Sequence, residues 1–245
     1  MDNPGYVALS RQLTLSRQME MIANNLANMN TTAYRGEGLM FREYLAGTGE
    51  TGIGAKRDAI SFVQDLSQLR DLSAGPMTNT GAALDVAIEG PGYFVVDTPQ
   101  GPRYTRDGHF KLDAQGQVTT ASGDPVLAGG GPIVIPIDAT DIQIARDGSV
   151  STEQGDLGRL DVVTFENEQL LERVKGNYYD AGDALAAPAA QTEVVQGMLE
   201  SSNVKGVVEM TKLIETMRGY QSAQRLGEQE HERQRRAIQS LISNS

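Results

Sequence analysis

The fold is decided by an asparagine-rich stretch near the N-terminus, which reads Ala23-Asn24-Asn25-Leu26-Ala27-Asn28-Met29-Asn30-Thr31-Thr32-Ala33-Tyr34-Arg35. Its apolar residues continue a stripe with helical spacing. Its amides are typical of a helix end, where asparagine side chains cap free backbone groups or bond a neighbouring subunit. Glycine and proline are rare before this stretch and common after it. It therefore separates a helical N-terminus from a body of a different kind.

Both ends of the chain have helical periodicity. Apolar residues recur at alternating spacings of four and three, and the positions are Leu15, Met19, Ile22, Leu26 and Met29 at one end and Met210, Leu213, Met217 and Tyr220 at the other. Isolated helices are marginal in water, and a sustained spacing near 3.5 residues favours helix-on-helix packing. We predict that the two stripes face each other as antiparallel helices in a coiled-coil-like layer. On pattern alone, two helices packed on the central domain of the same chain remain an alternative.

Charge is distributed unevenly along the chain. The formal net charge is −11, and all of it falls in residues 46–192, because 1–45 and 193–245 are each neutral. Like charges are costly where helices from many copies crowd together. Neutral ends and an acidic body therefore favour ends packed inside an assembly and a body that faces water. The acidic excess also argues against a nucleic-acid partner, since phosphate binding needs a basic face.

The middle of the chain has a β pattern. Short strand-like runs alternate with turn residues at 93–96, 103–106, 110–112, 118–120, 142–144, 149–151 and 160–165. Asp107-Gly108 and Asp147-Gly148 are hairpin signals, because glycine supplies the positive φ that such turns require. Short strands with closely spaced turns predict an antiparallel β sandwich or barrel-like domain. The predicted fold class is therefore α+β, with a mainly β core flanked by terminal helices.

These patterns divide the chain into four segments. We expect an N-terminal helix in 1–34, an extended arm in 35–80 with one short helix around 61–72, a β-rich domain in 81–192 and a C-terminal helix in 193–245.

No catalytic, cofactor or metal constellation stands out. Cysteine is absent, so thiolate sites and disulfides are excluded. The G-x-G-x-x-G letters of 47–52 follow no buried strand and are interpreted as a loop. The two histidines, His109 and His231, lack ligand-like spacing to other donors. No apolar run is long enough to span a membrane, and no cleaved signal peptide is visible at the start. We therefore predict a protein that is not an enzyme.

Three blocks of the sequence resemble the axial rod and hook proteins of the bacterial flagellum. They are 23–35, then 84–96 followed by 104–108 and Phe110 at the family's spacing, and 195–204 running into Glu209 and Met210. The family usually has glycine at the position of Ala33 and phenylalanine at that of Tyr34. The opening residues and the run 62–76 resemble the proximal rod type, although distal rod and hook proteins share the three blocks.

The resemblance implies a structural subunit of a helical, tubular shaft that crosses the periplasm and carries motor torque. Its partners would be copies of itself and other flagellar rod proteins, and it would leave the cytoplasm through the flagellar type III export apparatus. The terminal helices would form an inner coiled-coil layer and the β domain an outer one. The expected subunit interface residues are Leu15, Met19, Ile22, Asn24, Asn25, Leu26, Asn28, Asn30, Asn203, Met210, Leu213, Met217 and Tyr220.

Two alternatives remain at this point. The first is another axial protein, such as the distal rod. The second is a soluble carbohydrate-binding or peptidoglycan-acting β domain, which would need a pocket with convergent polar groups.

Overall fold

The structure is a computed structural model, and it describes residues 3–46, 60–136, 138–139, 141–175, 177–189 and 192–243. The predicted loop at 47–52 lies outside these residues. The chain forms two compact units. The helical unit contains Met1–Ala27, Glu37–Arg70 and Lys205–Ser245, and the β unit contains Asn28–Gly36 and Asp71–Val204.

In the ranges that the structure describes, the helical unit consists of two helices and one antiparallel strand pair. Helix α1 spans Asn3–Ala27 and helix α2 spans Gly206–Ser243. Strand β1 spans Glu37–Ala46 and pairs with strand β2, Ile60–Arg70. Pro4 falls in the first turn of α1, where a missing N–H removes no helical hydrogen bond. Both helices are long because neither contains an internal proline.

The short helix predicted around 61–72 is wrong, because this segment is strand β2. Phe62, Leu66 and Leu69 do recur at helical spacing. However, β1 offers a complete backbone partner, with a register that runs from Glu37 opposite Arg70 to Ala46 opposite Ile60. Tertiary pairing of this kind overrides a weak local preference.

The terminal helices are shorter than the segments expected to hold them. After α1 ends at Ala27, residues 28–34 form turns, in which the Thr31 N–H donates to the Asn28 carbonyl at 3.0 Å. Ala33 has a left-handed backbone with φ of 55°, which costs a residue with a Cβ about 1–2 kcal/mol. This conformation is a physical reason for the glycine that the family usually has there. Residues 193–200 form two strands ahead of α2.

The strands of the β unit are short and antiparallel. In chain order they are β3 Met77–Asn79, β4 Val86–Glu89, β5 Tyr93–Thr98, β6 Gly101–Thr105, β7 Lys111–Leu112, β8 Val118–Thr119, β9 Leu127–Ala128, β10 Gly131–Pro132, β11 Ile142–Ile144, β12 Ser149–Thr152, β13 Gly155–Arg159, β14 Val162–Phe165, β15 Glu172–Val174, β16 Tyr178–Asp180, β17 Ala186–Pro188, β18 Glu193–Gln196 and β19 Met198–Glu200. A single 3₁₀ turn, Glu168–Leu170, precedes β15. With the terminal helices, these strands confirm the α+β class and the antiparallel β core.

The largest sheet has the strand order β15-β16-β6-β5-β14-β17. A three-stranded sheet has the order β11-β12-β13, and the remaining strands of the β unit form pairs. Strand β18 pairs with β4 and β19 pairs with β3, so the segment just before α2 closes ladders with strands more than a hundred residues earlier.

The core lies on both faces of β5. Successive strand residues point to opposite faces, and here both faces are buried. Phe94 and Val96 join the main apolar cluster, whereas Tyr93 joins a smaller cluster with Phe165 and Tyr179. Tyr93 contacts both of these rings edge to face, at centroid distances of 5.9 and 5.4 Å.

Asp107-Gly108 does not form the predicted hairpin. Strand β6 before it pairs with β5 and β16, and β7 after it pairs with β8. Gly108 is required for another reason. A Cβ at this position would lie 1.7 Å from the Val86 carbonyl oxygen, while the Gly108 carbonyl accepts the Val86 N–H at 3.0 Å. The Asp147-Gly148 turn does have the expected geometry, with φ of 89° at Gly148.

We expect Gly108→Ala to lower the free energy of unfolding by about 2–3 kcal/mol, because the added methyl forces the two backbone segments apart. Guanidinium chloride unfolding of the full chain measures this loss. Gly131→Ala is the matched control, since a Cβ at Gly131 meets no atom within 4 Å. Equal midpoints for the two variants would contradict the close approach.

Candidate assembly surface

The two helices of the helical unit pack antiparallel. The Asn25 amide lies 3.3 Å from the Glu209 carboxylate, and Leu15 lies 3.6 Å from the position that a Cβ of Gly219 would take. The two facing positions are ten residues apart on each helix, but their order along the chain is reversed between α1 and α2. This fixes the register of α1 on α2.

The α2 face that contacts α1, here called the inner seam, is built from small and polar residues. Glu209, Thr216 and Ala223 are buried at heptad spacing, with relative exposures of 6%, 5% and 4%. Gly219 lies on the same side and meets Leu15. Small side chains let the two helix axes approach closely. The inner seam therefore depends on close packing more than on large apolar side chains.

Met210 and Met217 do not face α1 in the chain, so this part of the predicted helix–helix contact is wrong. Each follows an inner-seam residue by one position, which rotates it by about 100° around the helix, and both side chains are about half exposed. The other members of the predicted stripes are buried or half-buried, namely Leu15, Met19, Ile22, Leu26, Met29, Leu213 and Tyr220.

Helix α2 has a second apolar stripe on its outer side. The outer stripe consists of Val207, Met210, Ile214 and Met217, whose exposed fractions are 80%, 49%, 47% and 45%. Their spacings of three, four and three are helical. A contiguous exposed apolar strip of this kind marks an interaction surface.

Helix α1 has a smaller exposed apolar area near its N-terminus. The leucine patch consists of Leu9 and Leu13, which are four residues apart and exposed by 52% and 57%. Arg17 and Glu20 continue the same side of α1 and are exposed as well. The outer surface of α1 is therefore apolar at one end and charged towards the middle.

Asn25 holds the helical unit together. Its side-chain amide donates to the Glu37 carbonyl at 2.8 Å and its side-chain oxygen accepts the Glu37 N–H at 3.0 Å. The same amide reaches Glu209 in the first turn of α2. Glu209 also pairs with Lys212 at 2.7 Å, and its charge is favourable at a helix N-terminus. Asn25 thus joins α1, β1 and α2 within one chain.

Asn203 has a similar role in the β unit. Its amide donates to the Asp71 and Ser73 carbonyls, each at 3.0 Å, and its oxygen accepts the Gly36 N–H at 2.8 Å. Its own N–H donates to the Tyr34 carbonyl. Among the other predicted interface asparagines, Asn28 accepts from Thr31, whereas Asn24 and Asn30 are exposed.

A buried charge network in the β unit was not predicted. Arg106, which is 2% exposed, donates from Nε to the Glu200 carboxylate at 2.7 Å. Its Nη1 donates to the Gly90 and Gly92 carbonyls at 3.0 and 2.8 Å, and its Nη2 donates to the Ile88 carbonyl at 3.1 Å. Charge-assisted bonds of this type are the strong ones.

Arg35 approaches the other oxygen of the same carboxylate. Its Nη2 lies 3.7 Å from Glu200 Oε1, and its Nη1 lies 3.8 Å from Glu168 and donates to the Leu72 carbonyl. Glu200 Oε1 also accepts the Gly75 N–H at 3.0 Å. Each of the three blocks of resemblance therefore supplies one member of the network: Arg35, Arg106 and Glu200.

Tyr93 completes the network at Glu168, to which its hydroxyl donates at 2.7 Å. Burial raises the pKa of the Tyr93 hydroxyl well above its usual range, and the bond and charge of Glu168 raise it further. The phenol therefore stays protonated and remains a donor.

One cavity of about 470 Å³ lies in the β unit and bears on the carbohydrate-binding alternative. Its lining is largely apolar, with Leu127, Leu160 and Val162 among the walls. Its Asp161 carboxylate is already bonded to the N–H groups of Gly129 and Gly130. The polar side chains of Asp147, Arg159 and Thr192 also line the cavity, and each is already hydrogen-bonded within the β unit. Across the residues that the structure describes, no cluster of three or more metal-binding side chains occurs.

Among the residues that the structure describes, neither α1 nor α2 is both long enough and apolar enough to cross a membrane.

Three separate parts of the chain match known protein families. Residues 6–35 match the family described as flagella basal body rod protein, residues 87–152 match the flagellar hook protein FlgE/F/G D1 domain, and residues 195–240 match the flagellar basal body rod FlgEFG protein C-terminal family.

Relatives match along nearly the whole chain. The flagellar basal-body rod protein FlgF of Caulobacter vibrioides is 39% identical over 98% of both chains. FlgF of Mesorhizobium japonicum is 32% identical, again over 98% of both. The flagellar basal-body rod protein FlgG of Bacillus subtilis is 33% identical over 89% of this chain and 90% of its own.

Proposed function

The chain belongs to the flagellar basal-body rod protein family and is a structural subunit of the proximal rod, and we propose that it joins the rod by helical polymerisation through the outer surfaces of α1 and α2. The observation that carries this proposal is the outer stripe. Four large apolar side chains at helical spacing are exposed although the opposite side of α2 is already packed on α1. Burial of such a stripe against a neighbour is favourable, at about 25 cal/mol per Å² of apolar surface.

The remaining parts of the proposal follow from the same division of the chain. The helical ends form the inner, coiled-coil-like layer, and the acidic body, which carries the whole net charge of −11, faces the surrounding water. The partners are copies of this chain and other flagellar rod proteins. The protein reaches the rod, which crosses the periplasm, through the flagellar type III export apparatus. It acts as a mechanical element and catalyses no reaction.

Substitution of Met217 by aspartate tests the outer stripe. We expect Met217→Asp to abolish swimming and rod assembly, because a charge buried against a neighbouring subunit costs several kcal/mol. The isolated chain should keep its fold, since Met217 is 45% exposed in it. Soft-agar motility and immunoblots of purified basal bodies measure assembly, and circular dichroism measures folding.

Ser222→Asp is the matched control. It adds the same charge to an exposed position on the polar side of α2, so motility should remain at the wild-type level. Normal swimming of the Met217→Asp strain would contradict the proposal.

A further inference from the structure

The structure places the outer stripe and the leucine patch at different heights along the helix pair. Because Leu15 faces Gly219 and Asn25 faces Glu209, the leucine patch is level with positions near Arg225 and Gln221 of its own α2. The outer stripe occupies 207–217. The midpoints of the two apolar areas are therefore about eleven residues apart, which corresponds to about 16 Å at 1.5 Å per residue.

This offset decides how two copies can meet. If a neighbouring copy stood level with the first, its Arg17 and Glu20 would lie opposite Met217 and Ile214. Both charged side chains are exposed in the single chain, and their removal from water against apolar side chains would be costly.

We propose that the outer stripe of one copy is covered by the leucine patch of a second copy that is displaced along the helix axis by about 16 Å. This inference rests on the proposed function. The displacement brings Leu13 of the second copy opposite Met210 and its Leu9 opposite Ile214. The polarity stays antiparallel, as between α1 and α2 of one chain, so all copies point the same way.

Such a contact is heterologous, because α2 of one copy meets α1 of the next. Heterologous contacts that combine with a translation do not close into rings and instead build open helical assemblies. The stagger thus makes this contact propagate from copy to copy, with the leucine patch covering the middle of the outer stripe in every copy except those at the ends. It also moves Glu20 to the level of Asn203, beyond the outer stripe, and Arg17 to the level of Gly206 at its edge.

Cysteine cross-linking in the assembled rod tests the stagger, and the chain has no native cysteine to interfere. The test pair is Leu13→Cys with Met210→Cys in one chain. Within a single chain these positions are separated by the same axial offset of about 16 Å, so they cannot form an intramolecular disulfide. The control pair, Glu20→Cys with Ile214→Cys, reports on copies that stand level.

Both pairs occupy exposed positions, so folding should be preserved. After mild oxidation of purified basal bodies, we expect the Leu13→Cys/Met210→Cys chain to run as a ladder of multimers on non-reducing gels, and the control pair to stay monomeric. Cross-links from the control pair, from both pairs equally or from neither pair would overturn the stagger. If the unsubstituted chain is missing from the basal bodies, the proposed function fails as well, which keeps the two failures distinguishable.

Discussion

Glu200→Ala should lower the free energy of unfolding of the β unit by about 3–5 kcal/mol, because removal of one partner leaves buried charges uncompensated. The Glu200 carboxylate is the acceptor for Arg106 at 2.7 Å and lies 3.7 Å from Arg35, and all three residues are buried. The substitution also leaves the Gly75 N–H without its acceptor. Guanidinium chloride unfolding of the full chain, followed by tyrosine fluorescence, measures the loss.

Glu193→Ala is the matched control for this experiment. Glu193 lies on β18, close in sequence to Glu200, and also pairs with an arginine, Arg146, at 3.1 Å. That pair is largely exposed, and exposed pairs contribute about 0–1 kcal/mol. We therefore expect little change in the Glu193→Ala variant. Equal losses in the two variants would show that the buried Arg106–Glu200 pair contributes no more to the free energy of unfolding than the exposed pair does.

The network gives a physical account of the three separated sequence blocks. Arg35 follows the N-terminal turns, Arg106 follows β6, and Glu200 ends β19 just before α2. Both guanidinium groups meet the Glu200 carboxylate, which the third block supplies. Folding of the β unit is therefore coupled to the arrival of the segment that leads into α2.

Periodicity was sufficient to predict the helices, the strand runs and the fold class, because each depends on local spacing of apolar residues. Periodicity was insufficient where the conformation of a residue depends on a partner that is distant in the sequence. Residues 61–72 became a strand because β1 lies beside them, and Gly108 is needed for a backbone contact with Val86 and has no role in a hairpin turn. The Arg106–Glu200 pair could not be predicted either, because its two members lie 94 residues apart in the sequence; the available signal was an arginine between apolar strand runs.

The contact between α1 and α2 shows most clearly where prediction from the sequence fails. The sequence pattern predicts Met210, Leu213, Met217 and Tyr220 as the contact with α1, and the two methionines of this set are about half exposed. In the structure, Glu209, Thr216 and Ala223 are buried against α1 instead. Glu209 and Thr216 each precede a methionine of the predicted stripe by one position, and Thr216 and Ala223 are small. Spacing predicts that a stripe exists, but the choice between two adjacent stripes depends on how closely the partner helix approaches.

Thr216→Asp should therefore separate α1 from α2 in the isolated chain, whereas Met217→Asp should leave the pair intact. Thr216 is 5% exposed in the inner seam, and its hydroxyl bonds to the Lys212 carbonyl at 2.8 Å. A carboxylate at this position is buried against α1 without a partner, which costs about 3–5 kcal/mol. An isolated helix pair has little stability to spare, so this charge is sufficient to dissociate it.

Amide hydrogen exchange of the purified chain distinguishes the two variants. In Thr216→Asp, we expect rapid exchange in residues 9–27 and 206–229, with protection across β4, β5 and β14 unchanged because their core belongs to the β unit. In Met217→Asp, we expect exchange like that of the wild type in both regions. The pair of variants adds the same charge at neighbouring positions, so only the direction of the side chain differs. Equal protection of α1 and α2 in the two variants would mean that the inner seam does not hold the helices together, and loss of protection in Met217→Asp alone would restore the contact predicted from periodicity.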